Sequence, residues 1–167
     1  MTRQTASRPG FAALDRAVGT LVISGRWLVL PVAVILFAQW PLREVVKAWS
    51  RDANDLGQWL FALYVSLAMT FASRENAHLA ADALARRYSA RTRDLIARAG
   101  AAFCVLPWSL FILVAGGPAV LLAIRQLEGF PDTYNPGYFI VKASAWLLAL
   151  LLFLQALLDL LRPPARE

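Results

Sequence analysis

Apolar residues in this chain come in blocks, and the blocks are the length of membrane spans. A span needs about 20 mostly apolar residues to cover roughly 30 Å of hydrocarbon. Four stretches meet that requirement: about Leu21 to Leu42, Leu56 to Ser73, Ala99 to Ile124, and Tyr138 to Leu161. The first has Arg26 near its start, where a long side chain can snorkel to the interface. The third contains Pro107, Gly116, Gly117 and Pro118, a set that predicts a kink or tilt. The fourth carries Lys142 one turn in and Asp159 near its end. The pattern predicts an all-α integral membrane protein, one four-helix domain over residues 1–167, with a segment before the first span at 1–20 and a basic loop at 74–98.

The connections have their own periodicity. After the first span, Val45, Val46 and Trp49 fall at helical spacing beside Glu44, Lys47 and Arg51, which suits either a short amphipathic arm helix in the headgroup region or an exposed loop with one anchoring tryptophan. Asn54-Asp55-Leu56 reads as a helix start, with Asn54 or Asp55 as the cap. In the run from Arg74 to Asp94, Leu79, Ala80, Ala83, Leu84 and Tyr88 make one apolar stripe, with Arg86, Arg91 and Arg93 left for water or phosphate headgroups. His78 and Asp82 lie four apart on one face and can pair. Tyr88-Ser89 ends that stretch before the helix into the third span. Between spans three and four, Gly129, Pro131, Asn135, Pro136 and Gly137 punctuate a turn-rich connection, and Phe130, Tyr134, Tyr138 and Phe139 suggest an interfacial aromatic belt.

Composition narrows the classes further. Hydrophobic residues make up 59% of the 167 residues and charged ones 17%, against roughly 25% charged in a soluble domain. The lone cysteine, Cys104, excludes a disulfide scaffold and a cysteine-based zinc site. A formal charge of +6 would suit nucleic acid only on a soluble fold with an exposed basic face. In a membrane protein the arginines orient the chain instead. Arg3, Arg8, Arg16 and Arg26, the six arginines from Arg74 to Arg98, and Arg162 and Arg166 fall on one side, while Arg43, Lys47, Arg51 and Arg125 fall on the other with Lys142 close by. Both termini and the middle loop are therefore expected in the cytoplasm. A secretory signal ending near Ala38 is a poorer reading, because the stretch before Trp27 is too long for a usual leader.

Chemistry is scarce. Ionisable groups in mid-membrane are costly and usually functional, and these spans place Arg26, Lys142 and Asp159 near their ends. Bis-histidine haem ligation needs two histidines, and His78 stands alone. Ser66, Ser73 and Ser109 have no histidine base in register, and Cys104 has no charged neighbour. Gln39, Ser66, Thr70 and Gln155 are few enough to be helix-packing contacts. No enzyme activity and no cofactor or metal is expected.

The string from Arg74 through His78 and Asp82 to Leu84 resembles the histidine-aliphatic-x-x-aspartate segment after the second span in the small permease subunits of tripartite ATP-independent periplasmic (TRAP) transporters, the DctQ-like family. The run Thr133-Tyr134-Asn135-Pro136-Gly137-Tyr138, then Lys142, then Leu151 to Leu157 around Gln155, resembles that family's entry into its last span. The chain departs from the family pattern at Arg43-Glu44 and at Asn54 to Trp59.

The resemblance implies a multi-pass subunit of the bacterial inner membrane that catalyses nothing itself. It would scaffold a large permease subunit that a periplasmic solute-binding protein supplies with an organic anion such as a carboxylate, taken up with sodium. On that expectation, Arg74, His78 and Asp82 contact partners at the cytoplasmic side, while Asn54, Asp55 and Gln58 with Glu128, Asn135 and Lys142 form the periplasmic side. Membrane lipids are the other partner, and nucleic acid is not one. The alternatives are a stand-alone homo-oligomeric four-helix transporter and a membrane anchor for another complex.

Overall fold

A computed structural model describes residues 9–45, 51–74 and 88–161. Among the described residues the chain is almost wholly helical, without strands. Helix α1 (Pro9–Gly25) runs through a 3₁₀ turn (Arg26–Leu28) into α2 (Val29–Glu44). Then come α3 (Arg51–Arg74), α4 (Ala90–Gly100), a π-turn (Ala101–Val105), α5 (Leu106–Arg125) and α6 (Tyr138–Leu161). Among the described residues, four rods are long and apolar enough to cross a membrane: Ala12–Glu44, Arg51–Arg74, Arg91–Arg125 and Tyr138–Leu161.

Two of these rods begin well before the charge-free stretches do. The first is already helical at Pro9 and the third at Ala90. A helix does not stop at a charged residue, and nothing between Ala12 and Leu21 breaks one: Gly19 lies inside α1 without interrupting it. Ser89 starts α4 as expected of a cap, its hydroxyl accepting the Thr92 backbone N–H at 3.2 Å. The cap foreseen at Asn54 or Asp55 is displaced, because α3 is already helical at Arg51.

In the third span, where Pro107, Gly116, Gly117 and Pro118 suggested a kink or tilt, the helix carries a π-turn just before Pro107 and runs on unbroken through Pro118. A proline lacks its N–H and its ring crowds the carbonyl four residues back, here that of Phe103, and a locally wider turn accommodates both effects.

The rods lie in an open row, with α1 and α2 beside α3, α3 beside α6, and α6 beside α5. Small residues set this order. Gly25 lies so close to α3 that a Cβ on it would meet the Leu67 side chain at 2.5 Å. On α6, Ser144, Ala149 and Ala156 are all buried, as expected where membrane helices approach through short side chains. Gly117 opens α5 to the Trp146 indole, whose N–H donates to the Leu113 carbonyl at 3.1 Å. Val18, Val22, Leu67 and Leu151 form the buried apolar cluster where α1, α3 and α6 meet. Ser66 links α3 to α6 midway, its hydroxyl donating to the Ser144 carbonyl at 2.7 Å.

Candidate functional site

Apart from the mid-rod bonds of Ser66 and Trp146, the polar side chains that join separate parts of the fold gather at the two ends of the rods. At one end Arg74, the last residue of α3, reaches both neighbours. Its Nη2 donates to Asp15 Oδ1 on α1 at 2.9 Å, and its Nη1 donates to Gln155 Oε1 on α6 at the same distance. Gln155 then uses its amide nitrogen on Asp159 Oδ1, 2.9 Å away and one turn further along. Gly19 leaves room for the guanidinium, since a Cβ there would lie 3.3 Å from Nη2. The Arg74 and Asp15 side chains are 18% and 33% exposed, enough burial that losing either partner strands a charge. On the far flank, Arg98 of α4 bonds Asp94 at 2.9 Å and the Leu160 carbonyl at 3.3 Å, which ties α4 to the C-terminal turn of α6.

At the other end, the segment between α5 and α6 folds down onto the start of α3. Phe130 and Asn135 close a tight loop, the Phe130 N–H donating to the Asn135 carbonyl at 2.8 Å. Gly137 completes it at φ +145°, a conformation that strains a side-chain-bearing residue. Within the loop, the Thr133 hydroxyl donates to Asp55 Oδ2, and the Asn135 amide donates to Asp52 Oδ1. Asp55 is 7% exposed, so the Thr133 bond satisfies a nearly buried carboxylate. Beside this contact lies an open cleft of about 320 Å³ lined by Arg51, Asn54, Gln58, Asp132 and Tyr138 among others. Lys142 Nζ sits 2.7 and 2.6 Å from the two Glu128 oxygens and 5.3 Å from the centre of the Tyr138 ring.

The residues singled out in the sequence thus divide by place. Asn54, Asp55, Gln58, Glu128, Asn135 and Lys142 come together at one end, and Arg74 lies at the other. Most of their polar groups are used inside the chain. His78 and Asp82 lie outside the described residues, as does much of the arm between Val45 and Arg51. Among the described residues, no group of three or more histidine, cysteine or acidic side chains could hold a metal ion.

Sequence reasoning missed Asp15, Asp52 and Thr133. Neither Asp15 nor Thr133 has a local signal, since each bonds a residue far away along the chain. The Gln155–Asp159 pair, at i and i+4, could have been found by spacing alone. The foreseen aromatic belt is divided. Phe130 is 4% exposed and packs edge-on against Tyr138 with ring centres 5.6 Å apart, while Tyr134 stands 87% exposed.

No curated protein and no solved structure matches the chain significantly. The family described as tripartite ATP-independent periplasmic transporters, DctQ component, matches it over residues 19–165. The match covers nearly the whole chain, which therefore belongs to that family.

Proposed function

We propose that this DctQ-family chain is the scaffolding small subunit of a TRAP transporter in the bacterial inner membrane. The large permease subunit would carry the sodium and substrate sites, and a periplasmic solute-binding protein would deliver an organic anion such as a carboxylate. The observation that carries this reading is the family match from residue 19 to 165. The polar chemistry agrees with it: at one end hydrogen bonds and an ion pair hold α3 to α1 and α6, and at the other they hold the α5–α6 connection to α3 and α6, which suits the fixed part against which a transport domain moves.

In this reading both termini and the 74–98 loop are cytoplasmic, following the arginine distribution. Arg74, His78 and Asp82 serve cytoplasmic anchoring and partner contact. The cleft at the opposite end, with Asn54, Asp55 and Gln58 on one wall and Asn135 nearby, faces the periplasm, where the binding protein docks. Glu128 and Lys142 hold the loop that forms its other wall. The chain catalyses no reaction and needs no cofactor.

The test is extraction of the tagged chain from its native host in a mild detergent, followed by mass spectrometry of what remains bound. A large polytopic permease recovered in near equal amount is the expected result. Recovery of the chain alone or with copies of itself would overturn the reading.

A further inference from the structure

Arg26 is deeper than its place in the sequence suggests. Gly25 rests against Leu67, and Leu67 lies two turns of α3, about 10 Å, before Arg74. Arg74 and its partner Asp15 mark the charged boundary at that end. Asp55 and Thr133 mark the other boundary, about 18 Å away from Leu67 along the same helix. Arg26 therefore sits well inside the apolar layer. It is exposed, and among the described residues it takes part in no ion pair. Its guanidinium lies over the neighbouring Trp27 ring, 5.5 Å from the centre. Trp27 is itself 63% exposed, at a depth where tryptophan gains nothing from lipid headgroups.

The surrounding face has a regular pattern. Ile23, Trp27, Leu30, Val34 and Phe37 are all exposed and recur at alternating steps of four and three residues, the spacing at which one helix seats its side chains between those of another. The outer face of α5 is just as apolar and also exposes a deep tryptophan, Trp108, which stacks on Phe111. No charged residue accompanies it between Arg98 and Arg125. An arginine at this depth is costly against lipid and is satisfied by a negative or strongly accepting group from a neighbouring helix.

From this we infer that the α1–α2 face centred on Arg26 and Trp27 is where a transmembrane helix of the large permease subunit packs, presenting a carboxylate to Arg26. The inference rests on the subunit reading above and adds which face docks and by what chemistry. Arginine and tryptophan are also the residue types most often found at the energetic centre of an interface.

The test places a photo-crosslinking benzoylphenylalanine at Leu30 or Val34, and separately at Phe111 or Val114 on α5, in the full chain expressed in its native host. Crosslinks from Leu30 and Val34 to a protein identified by mass spectrometry as the large permease subunit, and none from Phe111 or Val114, are expected. Arg26→Gln should lower the recovered complex by about tenfold or more, with Arg26→Lys retaining part of it. The chain itself should still accumulate, because Arg26 holds no other helix of its own. Crosslinks to phospholipid alone or to a second copy of this chain, or capture of the large subunit from the α5 positions instead, would overturn the inference. Unchanged recovery with Arg26→Gln would do the same. If the unmodified chain retains no large subunit, the proposed function itself fails, an outcome read without any variant.

Discussion

Helices α5 and α6 are nearly matched in apolar character, yet one is the centre of the protein and the other its edge. The most apolar stretch of the α6 rod has mean hydropathy 2.1 and is 33% buried, against 2.0 and 6% for the rod containing α5. Hydrophobicity does not decide which is which, because lipid is as good a neighbour for leucine as another helix is. Small and polar side chains decide it. α6 buries Ser144, Ala149, Gln155 and Ala156, and these let α3 and α5 close on it from either side. α5 turns Phe111, Val114, Leu121 and Leu122 outward.

That difference can be broken most severely at the polar end of α6. Arg74→Ala removes the group bonded to both Asp15 and Gln155, and should cost about 2–4 kcal/mol in reversible unfolding in lipid nanodiscs, below the full cost of a sealed pair because the site is partly exposed. Ala149→Leu, which forces bulk into the buried face of α6, should cost about 1–3 kcal/mol by the same measurement. Trp146→Phe removes the indole bond to the Leu113 carbonyl and should cost about 1 kcal/mol. Val114→Ala, on the outward face of α5, should fall within about 0.5 kcal/mol of the parent. If Val114→Ala destabilised the isolated chain as much as Ala149→Leu, the assignment of centre and edge would be wrong.

The spans were legible in the sequence because length and apolar run are all that crossing a membrane demands. Their extents were less so, since charge-free windows end at Arg98 while the helix continues back to Ala90. The central position of α6 was also legible in principle, from small residues on two faces of an otherwise leucine-rich helix, Ser144 on one and Ala149 and Ala156 on another. What the sequence hid were pairings across long stretches of chain. Nothing near Asp15 announces Arg74, and nothing near Thr133 announces Asp55. The depth of Arg26 was hidden for the same reason: it follows from the fit of Gly25 against Leu67, a contact between two helices.

The central claim, that this chain is one fixed part of a larger transporter, is tested most directly by native mass spectrometry of the particle extracted from its own membrane. The expected species has a mass equal to one 18.4 kDa chain plus one large permease subunit. A series of species at whole multiples of 18.4 kDa, with no second polypeptide, would contradict it.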